Sequence, residues 1–220
     1  MKKPILSMLL GAVLFSQVAN AGLILRVVDG VNVVYDQEQD ITWLLDANYA
    51  KTSGYDSNGL MTWDNSVAWV NSLELAGFTD WRLPGLTITD TNNSGTLNCH
   101  SSLTGGTDCG FNVITANSEL AYMFHKHLGN VATYDKDGNR GQAGWDILNT
   151  TFLDGLTSLN VSFENLFRDG YWTGTESTVR PSSHAWYFDL SVGRQDMDGK
   201  SDTFYAWVVR DGDVLAGGNN

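Results

Sequence analysis

The chain has 220 residues, with 25 acidic against 13 basic side chains and a formal net charge of −12. That length suits one large domain or two small ones, with a core burying about 70% of the unfolded surface. So acidic a surface disfavours nucleic acid, anionic lipid and sulfated polysaccharide, which are held by clustered Lys and Arg; neutral sugars, cationic partners and divalent metals stay open.

Residues 1–21 read as a secretory signal. Lys2 and Lys3 give the positive start, residues 5–15 the apolar stretch, and Ala19-Asn20-Ala21 the small-residue cleavage site. The stretch is shorter than the about 20 residues a membrane-spanning helix needs. The expectation is cleavage near Ala21 and export to the periplasm or beyond, with no transmembrane anchor; an uncleaved anchor is the alternative. Loss of Lys2 and Lys3 takes the net charge from −12 to −14.

Two β-branched runs follow at 23–28 and 31–35, split by Asp29-Gly30, a pair suited to a two-residue hairpin turn. A third short strand is expected over 41–45. The clearest helix covers 62–76. Thr62 caps it, Trp63, Val67, Val70 and Leu73 form its apolar stripe, and Gly77 stands past its end.

Residues 87–109 are a polar loop ending in the two cysteines, Cys99 and Cys109. An even count in an exported chain points to a disulfide, which would contribute about 2–3 kcal/mol by closing so short a loop. A redox or metal pair is the alternative, without a Cys-x-x-Cys or matched His pair to support it. A second helix is expected over 118–128, capped by Asn117 and stopped by Gly129, with Leu120, Met123, Phe124 and Leu128 facing the core. His125 and His127, two apart, point to different faces, which is wrong for a shared metal but suits the negative end of a helix.

Residues 134–144 and 196–202 read as loops, and 185–190 and 204–210 as buried strands. Strands and helices do not alternate, so the class is α+β. No repeat or linker divides residues 22–216, taken as a single domain, and 217–220 form a short disordered tail. The loops exceed ordinary connectors, which marks them as functional or as held by a metal or disulfide.

Several phrases recur in order between Trp43 and Val214: Trp-Leu-Leu-Asp-Ala-Asn-Tyr-Ala at 43–50, Asp80-Trp81-Arg82-Leu83-Pro84, Thr107-Asp108-Cys109-Gly110-Phe111-Asn112, Ser118-Glu119-Leu120, Tyr171-Trp172-Thr173-Gly174-Thr175-Glu176, Ala185-Trp186-Tyr187-Phe188, and Tyr205-Ala206-Trp207-Val208-Val209-Arg210 with Gly212-Asp213-Val214. Jointly they resemble the DUF1566 family, named after the C-terminal domain of a collagen-like bacterial adhesin (Lcl). The resemblance implies a fold related to C-type lectins and formylglycine-generating enzymes, with a small antiparallel sheet, two helices and long irregular loops. It also implies an extracellular or surface role, with glycan binding and adhesion as the theme.

Asp90, Asn92 and Ser94, with Gly95, place oxygens at positions one, three and five of a calcium-type loop and glycine at six. Position twelve is Ser101, where a bidentate Glu is wanted, so a metal-free polar loop is the alternative. The Glu-Pro-Asn, Gln-Pro-Asp and Trp-Asn-Asp strings of calcium-dependent lectins do not occur. A sugar would instead stack on an aromatic, with Tyr171, Trp172 and Trp145 as candidates and Glu176 as a carboxylate partner; burial in the core is the other fate of such rings. Trp81, Arg82, Trp207 and Arg210 read as structural, since a guanidinium can hold several loop acceptors. No Gly-x-Ser-x-Gly, His-Glu-x-x-His or phosphate loop marks an enzyme. The expected function is an exported, non-catalytic binding domain for carbohydrate or a surface or matrix partner. A structural or assembly module, oligomeric in form, and a hydrolase or other enzyme are the alternatives.

Overall fold

A computed structural model describes residues 22–89 and 101–216. The signal segment, the calcium-type loop of Asp90, Asn92 and Ser94, Cys99 and the tail at 217–220 all lie outside the described residues.

The chain begins with β1 (Leu23–Val28), β2 (Val31–Asp36), β3 (Ile41–Leu44), α1 (Tyr49–Thr52), β4 (Leu60–Met61) and α2 (Trp63–Asn71). Then come β5 (Ser101–Ser102), β6 (Cys109–Phe111) and α3 (Glu119–Tyr122), the last continued by a π-turn over Met123–His127. It closes with β7 (Thr151–Leu153), β8 (Asn160–Ser162), β9 (Gly170–Glu176), β10 (His184–Asp189), β11 (Arg194–Gly199), β12 (Phe204–Tyr205) and β13 (Val209–Asp211). The result is a mixed α+β fold whose strands are mostly antiparallel.

β1 and β2 pair from Leu23↔Asp36 to Val28↔Val31. Asp29 (φ 49°) and Gly30 (φ 79°) are both left-handed, as a turn matched to strand twist requires. β3 and β13 complete this sheet in the order β1-β2-β3-β13. The second sheet runs β4-β12-β9-β10-β11-β6-β5, with parallel pairing at β12–β9 and β5–β6, and β7–β8 form a separate hairpin.

The apolar run at 204–210 is not one strand. β12 belongs to the larger sheet and β13 to the smaller, and buried Ala206, Trp207 and Val208 carry the chain between them. Trp207 donates its indole N–H to Leu44 O at 2.8 Å and packs 4.5 Å from Trp43. Residues 196–199, expected as loop, lie in β11, paired along its length with β10. Their polarity misleads because the strand is filled by Gln195, whose buried amide donates to Asp108 O at 2.6 Å.

α2 starts where expected: the Thr62 hydroxyl accepts from Asn65 N at 3.4 Å. It stops at Asn71 rather than Ala76. Ala76 (φ 55°) and Gly77 (φ 76°) form their own two-residue turn, bonded through Leu75 and Phe78 in both directions at 3.0 Å. The second helix is capped by Ser118, whose hydroxyl accepts from Ala121 N at 3.2 Å, not by Asn117, which donates to Thr89 Oγ1 at 3.0 Å. Leu120, Met123, Phe124 and Leu128 all enter the core.

Candidate functional site

The structure withdraws two of the expected ligand contacts. Tyr171 and Trp172 on β9 are both 0% exposed. The Trp172 indole donates to Met61 O at 2.9 Å and meets Phe204 edge-on. The Tyr171 hydroxyl accepts from Phe167 N at 2.8 Å, and burial pushes its pKa up. Neither ring offers a face to a ligand, because β9 runs through the middle of the larger sheet with both faces covered. Glu176 is exposed but paired with Lys200 Nζ at 2.6 Å, and that ammonium sits 4.0 Å over the Trp63 ring.

Arg82 is a clamp. Its guanidinium reaches Glu119 Oε1 at 2.7 Å and Oε2 at 2.8 Å, Leu83 O at 3.1 Å, and Asp211 Oδ1 at 2.6 and 3.1 Å. All five N–H donors are thereby engaged, tying the 82–85 loop to the start of α3 and to β13. Burial opposes the charge, but the Glu119 and Asp211 carboxylates outweigh it and raise the Arg82 pKa. Arg210 forms a fork to Asp80 at 2.9 and 3.0 Å and lies 3.9 Å over Phe78; its hydrogen bond holds the Asp80 carboxyl below the usual range. Trp81 donates to Leu75 O at 3.1 Å. With Trp63 on Thr173 O at 2.8 Å, these buried indoles hold carbonyls that would otherwise cost about 1–3 kcal/mol each if left unpaired.

Trp145 differs from the other seven tryptophans: it alone is partly exposed, and the rest are buried. It stands beside a cleft of about 580 Å³ formed by residues 112–115, the end of the π-turn and the loop that follows. The loop packs onto the cleft through Gly144, whose Cβ position would lie 3.8 Å from Val131, and Trp145 N donates to Gln142 O at 3.2 Å. Val131 and Gln142 both line the cleft.

The π-turn shapes this cleft. Leu128 N bonds Met123 O at 3.0 Å, five residues back, and left-handed Gly129 (φ 64°) then lets Asn130 N reach Phe124 O at 2.9 Å. Single π-turns of this kind recur at functional sites. His125 lines the cleft and lies 3.1 Å from Asn130 O through Nδ1. Burial lowers its pKa to about 4, with Lys126 and Lys136 pushing the same way, so the ring is neutral at pH 7 with its proton on Nδ1. Asn112 and Gln142 direct their amide N–H groups to backbone carbonyls, including a shared one, Tyr134 O. Their amide oxygens carry no hydrogen bond among the described residues, and Lys126 and Lys136 line the same cleft. Lys126, Lys136, Asn112 and Gln142 were not singled out by sequence reasoning. Three separate segments bring them to one place: the stretch after β6, the π-turn, which no sequence pattern announced, and the loop at 134–142.

Among the described residues no group of three or more His, Cys, Asp or Glu side chains could hold a metal ion, and no cysteine is free. Cys109 is buried on β6. No helix there is long and apolar enough to cross a membrane. His127, expected at the helix end, bonds Asp36 Oδ2 at 2.8 Å instead, with both side chains nearly inaccessible. Ser183 Oγ lies 2.9 Å from His184 Nδ1, but Arg180 Nη1 stands 3.5 Å from Nε2. A cation in the place of an orienting carboxylate is the reverse of a nucleophile triad.

The fold and its clamps define a mixed α+β domain that fixes long loops by buried indoles and guanidinium groups. The chain belongs to the Lcl C-terminal domain family, whose family model matches residues 32–210. No curated protein and no solved structure matches it.

Proposed function

We propose that this is an exported, non-catalytic binding domain on a C-type-lectin-like scaffold, recognising carbohydrate at the cleft beside Trp145. The observation that carries the proposal is the partial exposure of Trp145, bonded through its amide to Gln142 of the cleft lining, when every other indole is buried. A pyranose presents an apolar C–H face to stack on an indole and hydroxyls to bond amides and ammonium groups. The family and the signal-like residues 1–21 support a role outside the cytoplasm. A Cys99–Cys109 bridge belongs to the same proposal. The test is glycan-array binding of the chain from Gly22 onward, with and without calcium. Binding by the parent protein, lost in a folded Trp145→Ala variant, is the expected result; binding unaffected by that change would remove the site.

One feature favours a second reading, assembly with a surface partner. The β7–β8 hairpin carries Leu153, Leu156 and Leu159 at 57%, 65% and 64% exposure. Its one charged side chain, Asp154, is buried, holding the turn by accepting from Leu25 N and Thr157 N at 2.8 Å. Sedimentation of the parent and of Leu156→Ser would show whether this apolar tip drives association.

A further inference from the structure

Building on the carbohydrate reading above, we infer that the cleft beside Trp145 takes an acidic sugar, whose carboxylate is held by Lys126 and Lys136. The chain carries 25 acidic side chains against 13 basic ones, and five of its basic groups are neutralised by ion pairs. Arg26 pairs with Asp213, Arg82 with Glu119, Arg194 with Asp196, Lys200 with Glu176 and Arg210 with Asp80. Lys126 and Lys136 have no ion-pair partner among the described residues, yet both line one cleft. On so acidic a protein, two unpaired ammonium groups in one concavity form a local positive field that selects anions.

The source of that field is the lysines alone. His125, which lines the same cleft, is neutral. A ligand carboxylate would complete the pairing that the protein itself leaves open, by charge-assisted hydrogen bonds. In a uronic acid that carboxylate is attached to the ring that stacks on Trp145, so one residue can satisfy both contacts. A densely sulfated chain would bring many further charges against a net charge of −12, which long-range repulsion opposes. The class favoured is therefore a carboxylated, sparsely charged saccharide.

The experiment is calorimetric titration with three probes of equal length: an otherwise neutral oligosaccharide carrying one uronic acid residue, its methyl ester and a sulfated neutral oligosaccharide. Lys126→Gln/Lys136→Gln and Trp145→Ala variants serve as comparisons, with thermal unfolding as the check on folding. The free acid should bind about tenfold more tightly than the ester, and the double lysine variant should abolish that preference while still binding the ester. Added salt should weaken the acid only. Equal binding of acid and ester, or a preference that survives in the double variant, overturns the inference while leaving sugar binding intact. Sulfated probe binding as tightly as the acid overturns the carboxylate assignment. Failure of all three probes to bind defeats the carbohydrate reading and this inference together.

Discussion

Replacing Arg82 with alanine removes all five donors of a clamp that joins three separate segments. Two of its bonds reach Glu119, whose side chain is 19% exposed, and one reaches Leu83 O. A charge-assisted bond to a partly shielded acceptor contributes about 1 kcal/mol net, so these three total about 2–3 kcal/mol. The bonds to Asp211 add little, because that carboxylate is 79% exposed and water replaces the donor. After the substitution Glu119 keeps the Gly85 amide at 2.5 Å, so its charge is not wholly stranded, which caps the loss near the upper figure. Urea unfolding followed by tryptophan fluorescence gives the change from the midpoint shift at constant slope. Arg82→Lys should recover less than about half, since an ammonium cannot reproduce the fork. A loss under about 0.5 kcal/mol would refute the clamp, as would full recovery by lysine.

Three more outcomes follow from individual residues. His125 is neutral in the folded chain down to about pH 4 but accepts a proton near 6.5 when unfolded, so the unfolded state binds more protons between those values. The stability His125 contributes above pH 6.5 is therefore lost as pH falls towards 4, about 2–3 kcal/mol; His125→Gln should show a correspondingly smaller drop between pH 7 and 4.5, and an identical drop would exclude this group. Gly193 has φ 70° and a Cβ position 2.9 Å from the Phe124 ring and 2.8 Å from Ala132 Cα, so Gly193→Ala should cost more than about 1 kcal/mol in the same assay. Trp172→Ala should cost about 3–5 kcal/mol by emptying the core; a stable variant deficient only in ligand binding would return this residue to the site.

The features legible in the sequence are those set by neighbouring residues. Asp29-Gly30 announces its turn because two left-handed residues are needed there, and Thr62 announces α2 because a hydroxyl at that place satisfies a free amide. The core positions of the second helix follow from apolar spacing alone. The features missed are set by distant contacts. The end of α2 depends on Leu75 turning inward under Trp81, the division of 204–210 between two sheets on Leu44 and Met61, and the strand at 194–199 on a neighbour 87 residues away, Asp108. For the site, Trp145 stood among three aromatic candidates of similar context, and only burial separates it from Tyr171 and Trp172. Lys126 and Lys136 resemble any solvated lysine until the π-turn and the loop after it set both in the lining of one cleft.

The central claim is a division of labour, with Trp145 meeting ligand and the other tryptophans holding the fold. The most direct measurement is the indole N–H region of a ¹H–¹⁵N correlation spectrum, with Trp145 assigned from a Trp145→Phe variant. It is recorded while a glycan that binds the protein on an array is added. The account predicts that the Trp145 resonance moves with saturation while the resonances of buried Trp43, Trp63, Trp81, Trp172 and Trp207 hold their positions. Movement at Trp63 or Trp172 with Trp145 unmoved would contradict it.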